Sequence, residues 1–210
     1  MVTKKELMYK NLNPEEKEIF KKFLDPVYYL LFELDNRDLL NYNFNLESAK
    51  QFLLFIDSID KQINLYNNLV DNQENLNSIT GETDVRYLTP TLSIMIHEKL
   101  RIVFNYFINF NKLQLKGTPF LSKILTKLKK EFPANEFLLE LNSEIRNAAA
   151  HYSYYIKGNH VCICKNFFDM NPKLIEFKDF EKELKKFNII VDLFIATYFD
   201  DFKAEWIYQS

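Results

Sequence analysis

Only three glycines and six prolines interrupt the 210 residues, and between them apolar side chains recur three and four positions apart. A chain so poor in turn residues folds mainly as helices, because that spacing lays each apolar stripe along one side of a 3.6-residue turn. Leu46 to about Val70 is the clearest case, with Phe52, Phe55, Ile56, Ile59, Ile63 and Tyr66 on one amphipathic face. Asn13-Pro14-Glu15-Glu16 supplies an N-cap, a proline at the first helical position and acidic first-turn residues, opening a helix to about Leu24. Asp25-Pro26 then starts a second short helix, Val27 to about Asp35. Thr89-Pro90 opens a helix to about Leu115, and Gly117-Thr118-Pro119 separates it from one over Phe120 to about Phe132. Phe180 to about Phe202 is the last, with Leu184, Phe187, Ile190, Val191 and Phe194 on its buried side. The fold class expected is all-α. The polar stretch Asp71 to Thr89 divides an N-terminal helical region, residues 1–75, from a second helical domain, residues 86–205, unless the two form one continuous unit.

Composition limits the partners. With 47% hydrophobic and 16% aromatic residues the chain can bury a substantial core, and its net charge of −2 provides no global basic footprint, so any nucleic-acid site has to be local. The opening Met-Val-Thr-Lys-Lys-Glu leads into charged sequence without a signal-peptide core, and no charge-free apolar run approaches ~18 residues. The expectation is a soluble cytoplasmic protein with no membrane association.

Tyr154-Tyr155-Ile156 and Val161-Cys162-Ile163-Cys164 flank Lys157-Gly158-Asn159-His160, which reads as a small β-hairpin. On an extended strand His160, Cys162 and Cys164 share one face. Zinc needs four well-placed ligands and the chain holds few other candidates, so the cysteines read as structural, and neither a metal nor a cofactor is expected.

One stretch concentrates chemistry. Glu144-Ile145-Arg146-Asn147-Ala148-Ala149-Ala150-His151-Tyr152 places an arginine, an asparagine and a histidine around three alanines, in a chain with only four arginines, three histidines and seven alanines. Phe137, Leu138, Leu139 and Leu141 precede it and nothing before His151 breaks a helix, so it reads as the C-terminal half of a helix starting near Asn135. On such a helix Asn147 and His151 are about 40° apart, whereas Arg146 and His151 are about 140° apart. One helix does not readily aim both Arg146 and His151 at one atom, whereas two copies across a two-fold axis do.

Arg146-Asn147-(Ala)3-His151 resembles the R-N-x-x-x-H signature of the HEPN superfamily. Over roughly residues 86–205, the resemblance implies a helical bundle that dimerises through the motif helix and cleaves RNA without a metal in a composite cleft. Arg146, Asn147 and His151 would be catalytic, and the N-terminal helices would be an extension. It also implies a setting in prokaryotic defence, as an abortive-infection protein or toxin, with an antitoxin or sensor as partner. Some HEPN toxins carry R-x-x-x-x-H-x-Y, whose tyrosine a nucleotidyltransferase antitoxin modifies; here Ser153 stands at that position.

The chemistry suits these residue types. Attack of a ribose 2′-hydroxyl on the adjacent phosphorus needs a base, an acid and positive charge on the phosphorane oxygens. Histidine, with an unperturbed pKa of about 6.5, serves as base or acid, and arginine grips phosphate through its planar fork. Tyr152 and Tyr154, with Tyr155, are candidates to stack on an unpaired base, and Lys123, Lys127 and Lys130 share one helical face for phosphate contact. Against these stand tyrosines that merely pack and lysines that merely solvate a helix. His97 and His160 read as structural or surface groups. A HEPN-like module that binds RNA or a nucleotide without cutting, and a helical protein-interaction protein, are the alternatives at the level of function.

Overall fold

The computed structural model describes residues 2–42, 46–71, 89–117, 119–141, 153–164 and 171–202. These residues are mostly helical, with one small antiparallel sheet. The helices are α1 (Lys4–Asn11), α2 (Pro14–Asn36), α3 (Leu46–Asp71), α4 (Thr89–Phe107), α5 (Leu121–Glu131), α6 (Glu136–Glu140) and α7 (Phe177–Thr197), which runs on into a π-helical turn, Tyr198–Phe202. Two compact units interleave along the chain: residues 1–43, 100–141 and 185–210 form the first, and residues 44–99 and 142–184 the second. No described helix is long and apolar enough to cross a membrane.

In the first unit, α1 and α2 begin alike. Thr3 Oγ1 accepts from the Glu6 amide at 3.1 Å while the Glu6 carboxylate accepts from the Thr3 amide at 3.0 Å, and Asn13 and Glu16 repeat this reciprocal cap. The Asp200 carboxylate accepts from the Lys4 and Lys5 amides at 3.0 and 2.8 Å, fixing the start of α1 to the π-helical turn.

The expected break at Asp25-Pro26 does not occur, and α2 continues through Pro26. An interior proline costs about 3 kcal/mol. Phe20, Phe23, Val27, Leu30, Leu31 and Leu34 nevertheless form one continuous buried stripe. At about 1.5–3 kcal/mol for each buried side chain, that stripe outweighs the proline. Phe194 of α7 lies against Phe104 and Phe137, with centroids at 5.6 and 5.2 Å, and Tyr198 stacks on Phe107 at 3.8 Å.

Two helix ends differ from expectation. α4 stops at Phe107 rather than near Leu115, because the Asn41 amide donates to the Phe107 carbonyl at 2.9 Å and the Asn109 amide to the Leu39 carbonyl at 2.7 Å. An isolated Leu40–Ile108 bridge thus takes over from the helix. The helix capped by Asn135 does not run on to His151 as one piece: it ends at Glu140, and Leu141 has φ −73° and ψ 97°, extended backbone. Here the Lys129 ammonium donates to the Leu141 carbonyl at 2.8 Å, engaging that acceptor outside any helix.

In the second unit, α3 buries Phe52, Ile56, Ile63 and Tyr66. Strands β1 (Tyr154–Lys157), β2 (His160–Ile163) and β3 (Lys173–Glu176) pair antiparallel in that order. The expected hairpin is β1 and β2. Gly158, at φ 58°, takes the first central position of its two-residue turn, where a left-handed conformation is required. β3 was not foreseen from the sequence.

Candidate functional site

Arg146, Asn147, His151 and Tyr152 lie outside the described residues, as do residues 72–88 of the expected polar connection. Structure is described up to Leu141 and again from Ser153, whose carbonyl accepts from the Cys164 amide at 2.8 Å. β-pairing is therefore under way two residues after His151.

That pairing sorts the side chains after the motif. Tyr154 stands across from Ile163 and Ile156 across from Val161, so these half-buried residues share one face with the buried Val161 and Ile163. Tyr155 stands across from Cys162 and Lys157 across from His160, on the opposite face. There, with Leu174 of β3, they line a hollow of about 670 Å³. Tyr155 is 45% exposed. Of the two strand tyrosines, Tyr155 is the one offered on the open face, whereas Tyr154, named first from the sequence, is not. Cys162 is buried and Cys164 half-buried, both as free thiols.

The lysines of α5 fall as their spacing requires. Leu121, Ile124, Leu125 and Leu128 are buried, and Lys123, Lys127 and Lys130 emerge together along a shallow groove of about 340 Å³ with Ser122, Thr126 and Leu115. Lys127 pairs with Glu131 at 3.2 Å, and Glu131 also lies 3.7 Å from Arg37. Lys112, just before, pairs with Asp38. Lys129 turns away from this face toward Leu141, and its burial pushes its ammonium below the usual lysine value.

No family model, curated protein or solved structure matches this chain.

α4 carries a third polar group, within the second unit. Ser93, His97 and Lys99 are all buried. His97 Nδ1 lies 2.7 Å from the Ser93 carbonyl, which only an N–H can satisfy, so Nδ1 carries a proton. The Lys99 ammonium pairs with the Asp60 carboxylate of α3. Neither His97 nor Lys99 is positioned like the half-buried His160 and the exposed Lys157 to meet a ligand from solvent. Among the described residues no group of three or more His, Cys, Asp or Glu is placed to hold a metal.

Sequence reasoning passed over Lys157 and His160 as partners of Tyr155. The signal was present, since Tyr155/Lys157 and His160/Cys162 each alternate by two across a glycine turn.

Proposed function

We propose that this chain is a HEPN-type endoribonuclease, metal-independent, whose site is assembled by two copies. The observation that carries the reading is the spacing Arg146-Asn147-x-x-x-His151 with alanines between. A mostly helical chain with a small sheet directly after the motif supports it.

In this mechanism the 2′-oxygen loses its proton to one histidine as it bonds to phosphorus. The bond from phosphorus to the 5′-oxygen breaks, and that oxygen takes a proton from the histidine of the second copy. The products are a 2′,3′-cyclic phosphate and a 5′-hydroxyl. Arg146 balances the charge on the phosphorane oxygens, which grows in the transition state and so lowers the barrier. Asn147 orients the imidazole or the scissile phosphate. Ala148, Ala149 and Ala150 let two helices approach closely enough for both sets of side chains to converge. By the same resemblance the setting is prokaryotic defence, as a toxin or abortive-infection protein in the cytoplasm, with an antitoxin or sensor restraining it.

The test is cleavage of single-stranded RNA in EDTA by the unsubstituted chain, His151→Ala and Arg146→Ala, with mass measured in solution. The expected result is a dimer in each case and loss of at least about a hundredfold in rate for either substitution. Equal cleavage by all three overturns the assignment.

A further inference from the structure

The open face of the three-stranded sheet holds the side-chain types from which single-stranded RNA sites are made, an exposed aromatic ring, a lysine with a histidine beside it and an apolar wall. Tyr155 presents its ring beside Leu174, which is 60% exposed, with the buried Cys162 thiol between them in the register. The next row along the strands, about 7 Å away, is Lys157 and His160. That is the reach from a nucleobase to its own phosphate. The hollow they line, about 670 Å³, falls within the 300–1,000 Å³ or so usual for ligand sites, and no acidic residue is among its described lining. Glu176 stands across from His160 on β3 and does not line the hollow.

We infer that this face is a single-stranded RNA platform, on which one unpaired base stacks on Tyr155 while Lys157 and His160 contact the adjoining phosphate. A duplex does not fit this role, because stacking on a side chain requires a base already free of its neighbours. The inference rests on the ribonuclease reading for its ligand and adds the part of the substrate that is gripped. Tyr155 is four positions after His151 in the chain, a span of at most about 14 Å, so a strand held on Tyr155 lies within a few nucleotides of the histidine. The platform then sets which phosphate reaches the cutting residues, and it favours loops and unpaired ends over helical RNA.

The experiment is fluorescence anisotropy of a labelled twelve-nucleotide RNA of mixed sequence. Its protein is the full chain carrying His151→Ala, alone and combined with Tyr155→Ala, Tyr155→Phe or Lys157→Gln. Tyr155→Ala is expected to weaken binding about tenfold, and Tyr155→Phe, which keeps the ring, to bind within about twofold of the parent. Lys157→Gln is expected to reduce the slope of log affinity against log salt by about 0.7. Circular dichroism of each variant verifies that the fold is intact. Unchanged affinity for Tyr155→Ala, or equal losses for Ala and Phe, overturns the platform. Cleavage by the chain with His151 intact, measured alongside, separates the two readings. Tyr155-dependent binding without cleavage removes the nuclease and keeps the platform; cleavage with Tyr155-independent binding does the reverse.

Discussion

The side-chain amide of Asn135 donates to the Pro26 carbonyl at 2.9 Å while its oxygen accepts from the Leu138 amide at 3.1 Å. One side chain thereby caps α6 and ties it to α2 at that helix's interior proline. Asn135→Ala is expected to lower the unfolding free energy by about 2 kcal/mol, of which about 1 is the cap and about 1 the bond to Pro26. Asn135→Asp keeps the cap and loses the donor, so its loss is smaller. Urea denaturation of the two variants checks this, and equal losses would mean that the cap contributes nothing.

Tyr198 and Tyr42 give the fold an alkaline limit. The Tyr198 hydroxyl donates to the Asn41 carbonyl at 3.0 Å, and burial pushes its pKa upward from 10.0. Tyr42 donates to the Asp35 carboxylate; burial first, and that bond second, raise its pKa too. Both stay protonated in the fold at pH values where the unfolded chain, with tyrosine pKa of about 10, loses its protons. Their contribution is therefore whole below about pH 10 and is lost as pH rises through the folded values. Stability measured against pH should fall above about pH 10, and fall less steeply in Tyr198→Phe, which also loses about 1 kcal/mol at neutrality.

The Lys99–Asp60 pair is asymmetric, the lysine fully buried and the aspartate side chain 39% exposed. Removing the carboxylate takes from a buried ammonium a charge that holds it, whereas removing the ammonium leaves a carboxylate that water can reach. Asp60→Asn is expected to cost about 2–3 kcal/mol and Lys99→Met about 1 kcal/mol or less, by thermal or urea unfolding. The reverse order would show that the pair is not what balances Lys99.

The α5 lysines offer a sequence-independent grip under the proposed function. Replacing Lys123, Lys127 and Lys130 by glutamine should change stability by no more than about 0.5 kcal/mol, since all three border a solvent-facing groove. Binding of single-stranded RNA should weaken alike for different sequences, with a salt slope reduced by about 2. An unaltered slope would leave these lysines as a solvated helix face.

How much was legible follows from what each boundary depends on. α3 spans Leu46–Asp71, nearly its expected range, because Phe52, Ile56, Ile63 and Tyr66 are buried along one face, although Phe55, expected on that face, is 46% exposed. The break assigned at Pro26 failed because a local preference was outweighed by six buried neighbours on the same stripe. The end of α4 was missed because it is set by the distant Leu39 and Asn41, while Ile108, Leu113 and Leu115 prolong the apolar pattern past it. β3 is four residues at a sheet edge with one partner and mostly exposed side chains, and it passes directly into α7. It offered no alternation, and the Asn171-Pro172 turn signal before it marked a break without showing that a strand follows. The capping box at Thr3 and Glu6 was readable from spacing alone and was overlooked. For the candidate site, the residue types of the motif are plain in the sequence, but which tyrosine faces outward depends on strand register, and a shift of one residue exchanges Tyr154 for Tyr155.

Under the proposed function His151 and Arg146 direct the attack of a 2′-hydroxyl, and the chemistry of the product ends records it. RNA incubated with the purified chain in EDTA should carry 2′,3′-cyclic phosphate and 5′-hydroxyl termini, and these should be absent with His151→Ala and with Arg146→Ala. Ends bearing 3′-hydroxyl and 5′-phosphate, or cyclic phosphates formed equally by the His151→Ala chain, would contradict the account.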